Sequence, residues 1–245
     1  DVKRIFRNTY DTGIEHGTVS VRVGTEIYEV TTFRVDGDYS DHRRPDSVEY
    51  TDKLAEDLKR RDFTMNAMAY HPRTGLIDLF GGQEDLRIGC IRCVGDPEER
   101  FEEDALRMLR AFRFAARFGF RVEEKTEKAV RIKASLLENV SRERVREEMD
   151  QLICSVHSGI LRDICATGLM AYIIPEWMPC IGVAQNTPYH AYTVEEHMIR
   201  AVEAAQPVRV VRWAALLHDI AKPYCRNTDV KGRDHFPGHP GQSAQ

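Results

Sequence analysis

The sequence predicts an α+β protein, a small mixed sheet followed by a long helical remainder. Three observations support this. Val19, Val21 and Val23 alternate with polar residues, pause at Gly24-Thr25 and resume as Ile27 to Phe33, which is a hairpin signal. From about Glu98 the apolar spacing changes from strand-like alternation to helical period and keeps it to the end. The composition, 30% charged and 42% hydrophobic over 245 residues, is that of a globular chain long enough for a real core.

The elements follow in order. Val2-Lys3-Arg4-Ile5-Phe6 is amphipathic, and residues 36–47 form a polar, turn-rich loop. A helix is expected from Asp52 through Lys59, and the apolar residues that follow, Met65, Ala67, Met68, Ala69 and Tyr70, read as more buried helix. Gly75 to Gly82 reads as a short apolar strand or turn closed by two glycines. Helical segments are expected at 102–118, 124–138, 142–157, 159–170, 193–205 and 208–221. Pro175, Pro179 and Pro188 mark 174–190 as the linker. Three units result: a sheet domain over 1–90, a helical neck and body over 91–175, and a helical unit over 186–245. The absence of an initiating methionine and the unfinished pattern at Gln245 make a fragment of a longer chain the expectation.

Charge and cysteine usage narrow the function. A net charge of −4 gives no global field toward nucleic acid or a membrane, so any polyanion must meet a local patch. The six cysteines have no framework spacing, as in a reducing, cytoplasmic setting. Cys90 and Cys93 lack a second pair at zinc-ribbon spacing and are expected in a strand or the core. No apolar run reaches the ~18 residues of a membrane span.

Three constellations carry chemistry. In residues 101–121, Arg107, Arg110, Arg113, Arg117 and Arg121 fall within an arc of roughly 120° on a helix, with Asp104 one turn earlier. They are either a solvated face paired with Glu102, Glu103 and Glu123 or the lining of a groove. As a groove lining, an aspartate beside an arginine offers one acceptor and several fixed donors. Cytosine and adenine each present an amino donor beside ring acceptors and match that set. Uracil and guanine present a ring N–H and a carbonyl where the match needs the reverse. Arg60 and Arg61 are planar, always-charged forks suited to a triphosphate. Asp62 could accept from a ribose hydroxyl, with Asn66 on the same face, or the cluster could simply start a helix. Glu29, within Tyr28 to Arg34, is either a solvent-facing strand residue or a carboxylate ligand for Mg²⁺ on a sheet floor.

A second cluster lies near the C-terminus. His197, the pair His218-Asp219, His235 and His239 offer imidazoles and a carboxylate from separate helices, a donor set that suits a divalent metal. In this arrangement His197, His218, Asp219 and His239 are the expected ligands.

Taken together, Thr12 to Val19 (TGIEHGTV), YEVTTFR, DLKRRDFTMNAMAY, DLFGG, EDALRMLRAFRFAARF and HDIAKP, in this order and spacing, resemble class II tRNA nucleotidyltransferases, the CCA-adding enzymes, and their kin the bacterial poly(A) polymerases. The segment around His218 resembles an HD-type domain. The resemblance implies a nucleotidyltransferase head, a helical neck and body, and Mg²⁺-dependent addition of C, C and A to the tRNA 3′ end from CTP and ATP, with release of pyrophosphate. It implies nucleotide contacts at Arg61, an amino-acid template made of Asp104 and Arg107, a pocket lined further by Arg110 and Arg113, and a catalytic carboxylate at Glu29. The family's Asp-x-Asp metal pair would lie upstream of Asp1, so the chain as written is expected to be inactive. Neither DNA nor a membrane is implied. Alternatives that share the motifs are CC-only, A-only or poly(A) addition, a metal-dependent HD phosphohydrolase, and a non-catalytic RNA-binding remnant.

Overall fold

The computed structural model describes the chain except residues 1, 14–16, 38, 40–46, 188–190 and 245. The centre of the Thr12–Val19 motif, most of the polar loop, Pro188 and Asp1 therefore lie outside the described residues.

A short helix α1 (Val2–Ile5) leads into a three-stranded antiparallel sheet, β1 (Thr9–Gly13), β2 (Thr18–Val23) and β3 (Glu26–Thr31), in that spatial order. The predicted hairpin is present: Gly24 has φ +63°, a left-handed turn position that costs glycine least, and Val23 pairs with Glu26. Next come the pair β4 (Arg34–Asp36) and β5 (Val48–Tyr50), helix α2 (Leu54–Lys59), and the pair β6 (Met68–His71) and β7 (Gly75–Asp78).

Here the structure differs from the sequence expectation. Residues Met65 to Tyr70 do not continue a helix. After α2 the chain turns through Arg60–Asp62, makes one tight turn at Thr64–Asn66 and becomes β6, where Tyr70 is exposed. The physical reason is pairing: the Thr64 N–H donates to the Arg92 carbonyl at 2.9 Å and the Val94 N–H to the Asp62 carbonyl at 3.1 Å, which sets 62–64 against 92–94, and Met68–His71 then pairs antiparallel with β7. The small and apolar residues that mimic a buried helix belong to a strand edge.

Helix α3 (Gly82–Ile88) starts where the Asp78 carboxylate accepts the Gly82 and Gln83 N–H groups, at 2.8 and 2.9 Å. The short strand β8 (Cys90–Ile91) pairs in parallel with β9 (Arg121–Val122), and between them run α4 (Pro97–Glu103) and α5 (Leu106–Phe118). The predicted helix 102–118 is thus broken at Asp104, which is extended at φ −145° and ψ 103°. Arg121 sits on β9 rather than on the arginine face, because α5 closes at Gly119 with φ +70°.

Helices α6 (Glu124–Lys133), α7 (Arg142–Ile153), α8 (Leu161–Thr167) and α9 (Met170–Ile173) follow. The expected linker begins as packed structure: a 3-10 helix over Pro175–Cys180 buries Trp177 and Cys180 completely. Then come α10 (Val194–Ala204), α11 (Arg209–Leu217), α12 (Lys222–Cys225), the pair β10 (Asn227–Thr228) and β11 (Asp234–His235), and α13 (His239–Ser243). One apolar core runs from Phe63 through Phe101, Phe112, Met149 and Trp177 to Val202 and Leu216, so the helices on both sides of the proline-rich stretch share it. Cys93 is buried in it and Cys90 is buried on β8, both as free thiols, as expected, and burial pushes Cys93 up to about 12.

Gly119 carries the sharpest local demand. Its backbone is left-handed, and a Cβ there would come within 2.7 Å of His157 Nε2. Gly119→Ala is expected to lower unfolding free energy by about 1–2 kcal/mol, read from the urea midpoint. An unchanged midpoint would show that the turn adapts.

Candidate nucleotide site and a histidine–aspartate cluster

The turn Arg60–Asp62 meets the start of α5, and buried carboxylates hold the arginines in place. Asp57, on α2 and almost fully buried, accepts from Arg60 Nε and Nη2 at 3.0 and 2.7 Å and from Arg61 Nη2 at 3.1 Å. Burial alone would raise the Asp57 carboxyl, but Arg60 and then Arg61 outweigh it and hold it below the usual carboxylate range. Arg60 also approaches Asp36 at 3.6 Å. Arg61 keeps 41% of its side chain exposed. Its buried Nε finds no hydrogen-bond partner among the described residues, so part of this fork is unspent.

Asp62 faces the other way. Its Oδ1 accepts from the Phe63 N–H at 2.8 Å and Asn66 Nδ2 at 3.0 Å, and its Oδ2 from Arg110 Nε and Nη2 at 3.0 and 2.6 Å. Burial raises this carboxyl, whereas Arg110, Asn66 and the Phe63 N–H lower it further, leaving it below its ordinary value. Asn66 does share a face with Asp62. The carboxylate that the sequence offers to a ribose hydroxyl is already occupied by Arg110, whose fork is a better partner than a neutral hydroxyl.

Asp104 and Arg107 stand at the α4–α5 break. Asp104 Oδ1 accepts the Leu106 N–H at 3.1 Å, and Oδ2 accepts from Arg144 of α7 at 2.9 Å. Arg107 donates to Glu103 at 2.5 Å, to the Arg100 carbonyl at 3.2 Å and to the Arg60 carbonyl at 3.3 Å. Asp104 and Arg107 are therefore neighbours that do not neutralise each other. Each is held by third parties, which leaves acceptor and donor capacity for a ligand. Glu103 also pairs with Arg100. A groove of about 540 Å³ beside this junction is lined by Tyr39, Arg100 and Glu103 among others.

The rest of the arginine face is divided. Arg113, only 6% exposed, pairs with Glu148, approaches Gln151 at 3.4 Å and lies 4.0 Å from the Phe114 ring centre. Where the sequence puts Arg113 in the pocket lining, the structure buries it against α7, and it reaches a ligand only by leaving Glu148. Arg117 lies 5.4 Å from the Phe118 ring centre. The carboxylates that hold these arginines include residues the sequence did not single out, Asp57, Glu148 and Asp36. Asp57 had a local signal, lying three and four residues before the two arginines. Glu148 and Arg144 had none, because only packing of α7 on α5 brings them in.

Glu29 projects from β3, exposed, opposite Ser20. It belongs to no group of three or more ligating side chains among the described residues, so the residues present do not by themselves make a metal site there.

The second cluster does bring together side chains of a type and spacing that could hold a metal ion. His197 on α10, His218 at the end of α11 and Asp219 point their ligating atoms within 4.8 Å of one another. His197 Nε2 lies 3.1 Å from His218 Nε2, and both lie near Asp219 Oδ2, at 3.4 and 3.2 Å. His239, at the start of α13, approaches Asp219 Oδ1 at 3.2 Å. The hydrogen bond to Asp219 raises His218. Asp219, which burial would raise, is held well below its usual range by His218 and Lys222. Lys222 Nζ sits 2.7 Å from Asp219 Oδ2, an ammonium at the oxygen a metal would share. His235 does not join the cluster; it pairs with Asp229 at 3.1 Å.

The fold and this junction define a nucleotidyltransferase head joined to a helical neck. Residues 1–92 match the family described as poly A polymerase head domain, and 119–181 that described as probable RNA and SrmB-binding site of polymerase A. The chain is 52% identical over 158 residues to a CCA-adding enzyme of Lactobacillus helveticus, covering 64% of this chain and 40% of that one. It is 42% identical over 234 residues to one of Geobacillus thermodenitrificans, covering 92% and 54%. Among solved structures, the Bacillus stearothermophilus CCA-adding enzyme in complex with CTP superposes with a TM-score of 0.73 at 39% identity, over 91% of this chain and 53% of that one. A tRNA nucleotidyltransferase complexed with a primer tRNA and an incoming ATP analog matches with a TM-score of 0.59 at 31% identity, over 72% and 51%. The chain belongs to the family of class II tRNA nucleotidyltransferases and bacterial poly(A) polymerases, and it spans about half the length of the curated relatives it matches. Enzymes of this family use divalent metal ions. No helix among the described residues is long and apolar enough to cross a membrane.

The Asp62 contacts make a stability prediction. A carboxyl with a lowered folded-state value contributes stability above its unfolded value of about 3.9 and loses it as pH falls further. Asp62→Asn, which removes the charged partner of Arg110 Nε and Nη2 and leaves it the longer contact to Glu148, is expected to cost about 2 kcal/mol at pH 7. The cost should shrink toward pH 3 in urea titrations, and a pH-independent cost would assign the loss to packing.

Proposed function

We propose that this chain is the nucleotide-selecting part of an enzyme that adds C, C and A to the 3′ end of tRNA from CTP and ATP. The observation that carries the proposal is the Asp104–Arg107 pair, held apart by Arg144, Glu103 and two backbone carbonyls and set beside the Arg60–Asp62 turn. An Asp acceptor and an Arg donor fixed at one helix start can read an amino group beside a ring acceptor, as cytosine and adenine present. Arg61, half-exposed with unspent donors, is the phosphate contact. Arg60 orients it through the shared Asp57. Arg110 and Arg113 serve the site through Asp62 and Glu148, with direct nucleotide contact requiring those pairs to open. The solved complexes of relatives, one with CTP and one with a primer tRNA and an ATP analog, support the same substrates here.

On this proposal residues 1–90 are the head, 91–175 the neck and body, and 186–245 an HD-like unit. Mg²⁺ supplies charge stabilisation to the phosphoryl chemistry when bound. Glu29 is the one residue of this chain assigned to it. The free thiols favour a cytoplasmic setting, and the proposed reaction calls for neither a membrane nor DNA as a partner.

The protein carrying this chain, given tRNA without its last three nucleotides and all four NTPs, is expected to yield a ladder stopping at plus three that needs CTP and ATP. Arg107→Ala should lower CTP and ATP use at least tenfold, since a buried hydrogen-bonding partner is removed. A single added nucleotide or a long A tail would instead assign a specialised relative or a poly(A) polymerase.

The His197, His218, Asp219 and His239 cluster favours a second activity, metal-dependent phosphoester hydrolysis. These residues would hold a divalent ion, with Lys222 moving off Oδ2. Mn²⁺ is expected to raise the melting temperature, and EDTA to reverse it, with His197→Ala abolishing the shift. A shift that survives His197→Ala would place the ion elsewhere.

A further inference from the structure

We propose that Arg144 is a positioning residue for the base-reading carboxylate of Asp104, and through it a determinant of the choice of C and A over U and G. The inference rests on the nucleotide-selecting role proposed for Asp104.

Asp104 is not on a helix. It occupies an extended break between α4 and α5, so no helical rotamer preference holds its side chain. Two contacts orient its carboxylate, the Leu106 N–H on Oδ1 and Arg144 Nη2 on Oδ2. The first is local and leaves the carboxylate free to turn about its own plane. The second comes from 40 residues away and restricts that turning, because Arg144 Nη2 holds Oδ2 at 2.9 Å from a packed helix. Both side chains are about four-fifths buried. The same helix supplies Glu148, which holds Arg110 and Arg113, so Arg144 sits on a rigid support.

Selection between cytosine and uracil depends on two reversals, an amino donor against a carbonyl and a ring acceptor against a ring N–H, and the Asp oxygen reads the first. An Asp oxygen aimed at that position accepts from the amino group and repels the carbonyl. An Asp free to rotate can turn the oxygen away and tolerate either. Loss of Arg144 therefore changes discrimination more than it changes affinity for the correct nucleotide, and that separates positioning from general support of the fold.

The test uses the protein carrying this chain, with Arg144→Met and Arg144→Lys, and the specificity constants for CTP, UTP, ATP and GTP on tRNA ending in the appropriate nucleotide. Arg144→Met is expected to lower the CTP/UTP and ATP/GTP ratios by roughly tenfold, the scale of one misplaced polar contact. Arg144→Lys, which restores a cation without the planar fork, should recover part of the loss. In an Asp104→Asn background, Arg144→Met should change neither ratio. Equal loss across all four nucleotides, or ratios unchanged, would overturn the proposal. If Arg144→Met does not fold, Arg144→Lys alone decides: ratios identical to wild type overturn it. A wild-type protein with no preference among the four would bring down the nucleotide-selecting role itself, a result distinct from any change at Arg144.

Discussion

Asp62 accepts four hydrogen bonds from three partners, and the placement of the candidate site depends on that carboxylate. It fastens the Arg60–Asp62 turn to α5 through Arg110, while the Asp62 carbonyl takes the Val94 N–H and so ties the same turn to the strand entering α4. The Arg60–Asp62 turn and the start of α5 are thereby fixed relative to each other at both ends. A buried charge that lacked such partners would be costly, so the geometry has few alternatives. The adjacency of charged and apolar residues in KRRDFTMNAMAY follows: Phe63 and Ala67 are fully buried directly after charges that are themselves paired.

Helix α7 extends the same logic. Arg144 reaches Asp104, Glu148 reaches Arg110 and Arg113, and Asp150 accepts from Trp213 Nε1 at 2.6 Å. Its apolar positions, Val145, Met149, Leu152 and Ile153, are buried in the core. The amphipathic spacing thus places an apolar stripe on α5 and leaves the polar flanks to organise charges on both neighbours. A protein with net charge −4 can in this way hold a dense arginine patch against a polyanionic ligand without a basic surface overall.

Much of this was legible in the sequence, and the gaps have a common cause. The β2–β3 hairpin announced itself because Gly24-Thr25 and the valine alternation are local signals. The segments from α6 to α11 matched their expected positions for the same reason. Met68 to Tyr70 misled because small and apolar residues carry no period of their own over so short a run, and pairing with β7 decided the matter. Asp104 looked helical because its neighbours on both sides are. Only tertiary contacts reveal that Arg113 faces Glu148, that Asp62 is spent on Arg110, and that Pro175 and Pro179 belong to a packed turn around Trp177 rather than a linker. The four residues His197, His218, Asp219 and His239 were legible together, and His235, named beside them but left out of the expected ligands, pairs with Asp229 instead.

The two clusters share one mechanical element. Asp150 of α7 holds Trp213 of α11, and α11 ends at His218, while the other flank of α7 holds the arginines beside Asp104. The core that buries α7 continues through Trp177 to Val202 and Leu216 without interruption. Separate hydrophobic cores would let the nucleotide junction and the histidine–aspartate cluster unfold independently. A common core means that each keeps its geometry only while the other side of α7 is packed. The rigidity of the Asp104–Arg107 junction is therefore drawn from helices far along the chain, well beyond the sheet and the Arg60–Asp62 turn.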